Sequence, residues 1–154
     1  MEAGTERILS SIVMASMLVI GCAGVRPANL GVKDGKLAPC PSSPNCVSSQ
    51  GSDKAHVIEP LSFSGTVAGA HAALRTIILS MKRSEIITET DAYLHAEFTS
   101  AIFRFVDDAE FWFDEDAKVI HVRSASRIGR SDLGVNRERV EELRAQWKAS
   151  NRGK

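Results

Sequence analysis

From residue 58 onward the chain alternates between two hydrophobic periods. Val67, Ala70, His71, Leu74, Ile77, Ile78 and Met81 recur at helical spacing. One apolar stripe of this kind predicts a helix over 67–81, capped by Ser64 or Thr66. Period-two runs follow at about 85–90, 93–100, 102–106 merging into 110–113, and 118–126, each the mark of a half-buried strand. Asp107-Asp108-Ala109, inside the merged run, reads as a turn or as a bulge in one long strand. Val140, Leu143 and Trp147 give the inner face of a last helix, running from a cap at Asn136 to about residue 150. Residues 57–63 add a short extended run. The order strand, helix, three or four strands, helix predicts an α+β fold. Its sheet is antiparallel with four to five strands, both helices cover one face, and the other face is open.

Alternation also assigns the two faces. Leu94, Ala96, Phe98, Phe111, Phe113, Ile120 and Val122 point inward, while Tyr93, His95, Glu97, Arg104, Trp112, His121 and Arg123 point outward. The hairpin after Phe113 has two possible registers. A two-residue loop pairs Phe111 with Ile120, and a four-residue loop pairs Trp112 with His121 and Glu110 with Arg123. The outward set has three readings. It is a solvated face stitched by ion pairs, a shallow binding surface, or a metal or acid–base site built from His95, Glu97 and His121, a donor set that suits Zn or Fe. His71, on the helix stripe, reads as a core histidine, and His56 lies in a loop.

The first third of the chain carries no such periodicity. Residues 8–21 are an uncharged apolar run ending Leu18-Val19-Ile20-Gly21-Cys22. The run is short of the ~20 residues a spanning helix needs and has the length of a signal-peptide core. A branched residue, a small residue and then Cys resembles a bacterial lipoprotein signal, with Cys22 as the acylated first residue of the mature chain. Residues 1–21 are then a signal peptide. Residues 22–36, rich in Gly, Pro and Asn, read as a flexible tether, and 37–154 as a single domain. Cys40 and Cys46, in the serine- and proline-rich stretch 37–50, read as a structural disulfide. Its small ring is worth about 2 kcal/mol in the loop-entropy picture.

Lys+Arg and Asp+Glu number 19 each, for a formal net charge of zero, which argues against nucleic acid as a partner. The charges are nonetheless segregated. Residues 85–116 hold ten acids and one Arg, while 118–154 hold ten bases and four acids. Within the basic block, Arg123, Ser124, Ser126, Arg127 and Arg137 belong to a glycine-containing loop just before a helix. Forked guanidinium donors beside a helix start suit an anion. The same arginines could instead pair with the acidic hairpin and be structural.

The stretch Leu37-Ala38-Pro39-Cys40-Pro41-Ser42-Ser43-Pro44-Asn45-Cys46-Val47-Ser48-Ser49, the Phe105-Val106-Asp107-Asp108 run and the 123–139 segment together resemble the family known as domain of unknown function 1499. The resemblance covers about residues 37–147 and implies a bacterial-envelope or plastid-related setting. It implies no established activity, cofactor or catalytic residue. Taken together, the sequence reads as a lipid-anchored protein on the periplasmic side of the cell envelope, in the inner or the outer membrane. It is a non-catalytic binding or assembly module for a small anionic ligand or an envelope protein, with no cofactor and no metal. The candidate ligand-binding residues are Arg123, Ser124, Ser126, Arg127, Arg137, Trp112, His95 and His121. The alternative is a small hydrolase or metal-dependent enzyme using the His95/His121 face, with Ser124 or Ser126 as nucleophile and Asp107 or Asp108 as orienting acid.

Overall fold

A computed structural model describes residues 23–151, so the segment expected to be a signal peptide and the expected acylation site Cys22 lie outside the described residues. The elements in chain order are β1 (Cys46–Ser48), β2 (Leu61–Ser62), α1 (Val67–Ser80), β3 (Ser84–Thr90), β4 (Tyr93–Thr99), β5 (Val106–Asp114), β6 (Val119–Ser126) and α2 (Val135–Asn151). The fold is α+β, with a six-stranded antiparallel sheet in the order β1-β6-β5-β4-β3 and β2 added on β6. The sheet has one strand more than the four to five expected: β2 lies within the extended run read at 57–63, whereas the short β1 pairs with a strand far along the chain and leaves little local pattern. No helix among the described residues is long and apolar enough to cross a membrane.

Both helices arise where the apolar stripes predict them. Thr66 caps α1, its hydroxyl accepting from the Gly69 N–H at 3.1 Å. Ala70, Leu74, Ile77 and Ile78 of α1 meet Val140, Leu143 and Trp147 of α2 over Leu94, Ala96, Phe98, Ala109, Phe111, Phe113, Ile120 and Val122 of the sheet. The Trp147 indole N–H donates to the Ser62 carbonyl at 2.9 Å and fastens α2 to β2. The β5–β6 hairpin adopts the four-residue-loop register, with Trp112 opposite His121 and Glu110 opposite Arg123.

Three local expectations change. Residues 107–109 continue β5 with neither turn nor bulge, whereas 101–105 form a loop with Arg104 at φ 58°. Asn136 is not the cap of α2; it lies inside the first turn, fully buried. Its backbone N–H and that of Gly134 donate to the Asp132 carboxylate instead, at 2.9 and 3.0 Å. Those donors outweigh the effect of burial, which alone would raise the Asp132 carboxyl, and hold it below its ordinary range.

The largest departure is residues 23–40, expected to be a tether followed by an irregular loop. They lie as a strap across the second face of the sheet, so that face is not open. The Gly31 N–H donates to Glu110 Oε1 at 2.7 Å, Arg26 reaches Glu97, and Leu37 is buried with its N–H on the Gln50 side chain. Lys33 and Lys36 close a small hairpin by exchanging backbone hydrogen bonds. Gly35, at φ 69°, lets the strap pass Trp112 so closely that an added Cβ would lie 3.4 Å from the indole. The strap docks through backbone donors and single side chains, which is why it shows no apolar period. The Cys40–Cys46 disulfide joins its end to β1.

Phe111 sits at the centre of the helix-covered face and is fully buried. Phe111→Ala is expected to lower unfolding free energy by about 3–5 kcal/mol in a urea titration. A loss below ~1 kcal/mol would contradict the packing described.

Candidate functional site

Strand alternation sends His95 and Glu97 of β4, Asp108 and Glu110 of β5, and Arg123 of β6 to the strap-covered face. Buried charges are tolerable only when paired and hydrogen-bonded, and these are. The Arg127 guanidinium, just past β6, holds Asp108 through Nε–Oδ2 and Nη2–Oδ1 bonds of 2.8 Å each and also donates to Glu97. His95 Nε2 donates to Asp108 Oδ1 at 2.7 Å, and Arg26 closes the group on Glu97 at 2.8 Å. Burial pushes the Asp108 carboxyl up, but Arg127 first and His95 second outweigh it and leave its pKa below the usual value. Glu97 follows the same course, with Arg127 and Arg26 outweighing burial. Arg127 is correspondingly raised, chiefly by Asp108.

A second group lies beside the first. Glu110 has no solvent exposure and accepts from the Tyr93 hydroxyl at 2.8 Å, the Gly31 N–H and Arg123 Nη1 at 3.2 Å. Burial, then the Glu110 charge, drive the Tyr93 phenol well above its ordinary pKa. A third group sits at the edge of the helix-covered face. Arg139 donates to Asp107, to Ser124 at 3.1 Å and to Asn136 at 2.7 Å, and its guanidinium lies 4.7 Å from the Phe98 ring centre. Ser124 and Ser126 both bond the Asn136 side chain.

The candidate residues of the arginine–serine loop therefore face inward. Arg127 belongs to the first group, Arg123 to the second, and Ser124 and Ser126 to the third. Arg137 donates to the Val57 and Ala55 carbonyls at 2.9 Å each. Sequence reasoning passed over Arg26 and Arg139, whose partners lie far along the chain, and named Asp108 only as an orienting acid for a hydrolase. Asp108 was hidden in the ambiguous 107–109 segment.

The metal reading changes composition. His121 is not beside His95 and Glu97; Asp108 is, and the donor atoms of His95, Glu97 and Asp108 lie within 4.8 Å of one another. The Arg127 guanidinium bonds both carboxylates of that set, so it already supplies the cation that a metal would. His121 stacks on Trp112 with ring centres 5.1 Å apart, and burial lowers its pKa despite Asp114 nearby. Its Nδ1 lies 3.2 Å from the Ser49 hydroxyl, and its Nε2 lies 3.9 Å from Asp114. Neither Ser124 nor Ser126 is its partner, because both bond Asn136 beneath the other face.

A cleft of about 790 Å³ opens where the strap meets the 50–56 loop, lined by Lys33, Lys36, Gln50, Asp53 and His56 among others. His56 Nδ1 bonds Asp53 at 2.8 Å and Nε2 bonds the Ser43 carbonyl at 3.1 Å. Asp53 first and Ser43 second raise the histidine's pKa, and His56 in turn lowers that of Asp53.

Arg127→Ala leaves the buried Asp108 with His95 alone and the half-buried Glu97 with Arg26 alone, and is expected to cost about 3 kcal/mol at neutral pH. The lowered Asp108 and Glu97 contribute stability that is full above the unfolded carboxylate pKa. That contribution is lost as pH falls through their folded values. Urea titrations from pH 7 down to 3 should thus show wild type losing stability and Arg127→Ala losing much less. Parallel slopes would contradict the pairing.

No curated protein matches the chain. A family model matches residues 36–147, from the end of the strap to Trp147, which is most of the chain. The Cys40–Cys46 loop, all six strands and nearly all of α2 fall inside that span, and the chain belongs to the family described as Protein of unknown function (DUF1499).

Proposed function

We propose that the chain is a cell-envelope lipoprotein, anchored through Cys22 on the periplasmic side, whose domain is a non-catalytic binding module for a small anionic ligand. The observation that carries the binding role is the strap cleft. Its lysines are exposed, its walls include the disulfide-joined segment, and its volume is that of an ordinary small-molecule site. His56, on the same wall, has both ring nitrogens bonded to Asp53 and the Ser43 carbonyl, so the lysines are the cations of the cleft on which the reading rests. The non-catalytic part rests on the buried groups, where each carboxylate is held by Arg or His partners and is not free to exchange protons with a substrate.

The test is native mass spectrometry of the full chain gently extracted from its membrane. The expected result is an acylated Cys22 and a co-purifying anion. Lys33→Glu with Lys36→Glu should abolish the bound species without changing thermal stability. A bare wild-type chain, or a ligand retained by the double variant, contradicts the cleft.

One observation favours a second reading, hydrolysis. The Val122 N–H donates to Ser49 Oγ at 2.9 Å, leaving the Ser49 proton to point at His121 Nδ1, with Asp114 behind the ring. Serine, histidine and aspartate in that order are the parts of an activated nucleophile. A fluorophosphonate probe separates the readings. The binding module leaves Ser49 unlabelled, and labelling that disappears in His121→Ala would establish the enzyme.

A further inference from the structure

The large apolar side chains that are most exposed gather at one end of the molecule. Val25 and Leu133 are 91% exposed, Ile102 81% and Phe103 66%, the four highest among the described residues. Ile102 and Phe103 lie in the β4–β5 loop, where the Phe103 and Phe105 rings stack with centres 5.5 Å apart. Leu133 lies in the loop leading into α2 and is held at φ 55°, an unfavourable backbone for a bulky side chain that then makes no packing contribution. These loops share one end because β4 finishes, β5 starts and β6 finishes there. The Arg127 N–H bonds the Val106 carbonyl at 3.2 Å across it, and Ala101 and Val135 line one cleft. Burying nothing, such a patch marks an interaction surface.

Charge and chain direction identify the partner. Lys82, Arg83, Arg104 and Arg130 share the loops of the apolar end with Asp132, whereas Asp91, Asp114, Glu115 and Asp116 share the turns of the opposite end with Lys118, so the apolar end is the more basic one. The strap also begins at the apolar end. Gly24 packs so tightly there that an added Cβ would come within 2.8 Å of Ile128 and 2.9 Å of Arg127. Cys22 is two residues earlier, and two extended residues reach only about 7 Å. An acyl group on Cys22 would thus leave the protein at the apolar, basic end, with no length of free chain to hold the domain away from the bilayer.

We propose that this end docks on the anchoring membrane. Ile102, Phe103 and Leu133 enter the acyl boundary, and the surrounding lysine and arginines meet anionic headgroups. The docking rests on the lipoprotein reading for its orientation, but the apolar tips and basic rim are independent of it.

The test reconstitutes the full chain, extracted from its membrane, into vesicles of phosphatidylethanolamine and phosphatidylglycerol. A nitroxide is placed at Ile102→Cys, at Leu133→Cys, and, as the control, at Glu115→Cys on the opposite end. The ratio of collisions with oxygen to collisions with an aqueous nickel chelate should be several-fold higher at 102 and 133 than at 115. Equal ratios at all three sites overturn the docking. Dipolar broadening between labels at 102 on two chains also overturns it, since a second copy would then cover the patch. The mass of Cys22 in the same preparation reads the anchor separately. An acylated chain with equal ratios defeats the docking alone, and an unacylated chain with buried tips defeats the anchor alone.

Discussion

The bidentate grip of Arg127 on Asp108 is the constraint from which the rest of the second face follows. Period-two alternation places a histidine, two glutamates, an aspartate and an arginine on one side of a sheet whose other side is already filled by helices. A layer that dense in charge is stable either fully wet or fully paired, and half-satisfied states are costly. Here pairing prevails. Arg127 neutralises Asp108 and Glu97, Arg123 neutralises Glu110, and the strap supplies Arg26 and the Gly31 N–H to the acceptors that remain. Covering the layer lowers the local dielectric and strengthens each pair, so strap and charge layer depend on each other.

In this arrangement most guanidinium groups of the arginine-rich loop and of the helix that follows it are paired within the protein. A loop binds an anion only with donors that the protein itself has left unused. Arg123, Arg127, Arg137 and Arg139 each have acceptors on β5, β4 or the 55–57 backbone. The opposite charge blocks seen along the sequence are the two halves of these pairs. Lys33 and Lys36 on the strap and Arg104 and Arg130 in the loops past β4 and β6 are among the cations that stay exposed.

Legibility in the sequence followed the kind of force at work. The helix stripes, the faces of β4 and β6 and the hairpin alternatives were readable because burial of apolar area imposes a period, as at Leu74, Phe98 and Val122. The Cys40–Cys46 pair was readable from composition and context. The strap was not, since a backbone N–H at Gly31 or a close approach at Gly35 has no side-chain signature. Asn136 looked like a cap because caps and buried amides use the same residue type. Only the tertiary position of Ser124, Ser126 and Asn45 tells them apart. Ile102 and Phe103 read as strand because apolar residues are presumed to be buried, whereas both are exposed in a loop.

Amide hydrogen exchange at Gly31 in the full chain tests the account most directly. Gly31 belongs to a segment with the composition of a free linker, yet its N–H donates to a carboxylate with no solvent exposure. This amide is expected to be protected to the level of the neighbouring β5 amides and to lose that protection in Glu110→Ala. Exchange at Gly31 as fast as an unstructured glycine would contradict it, and the charged face would then be open to solvent.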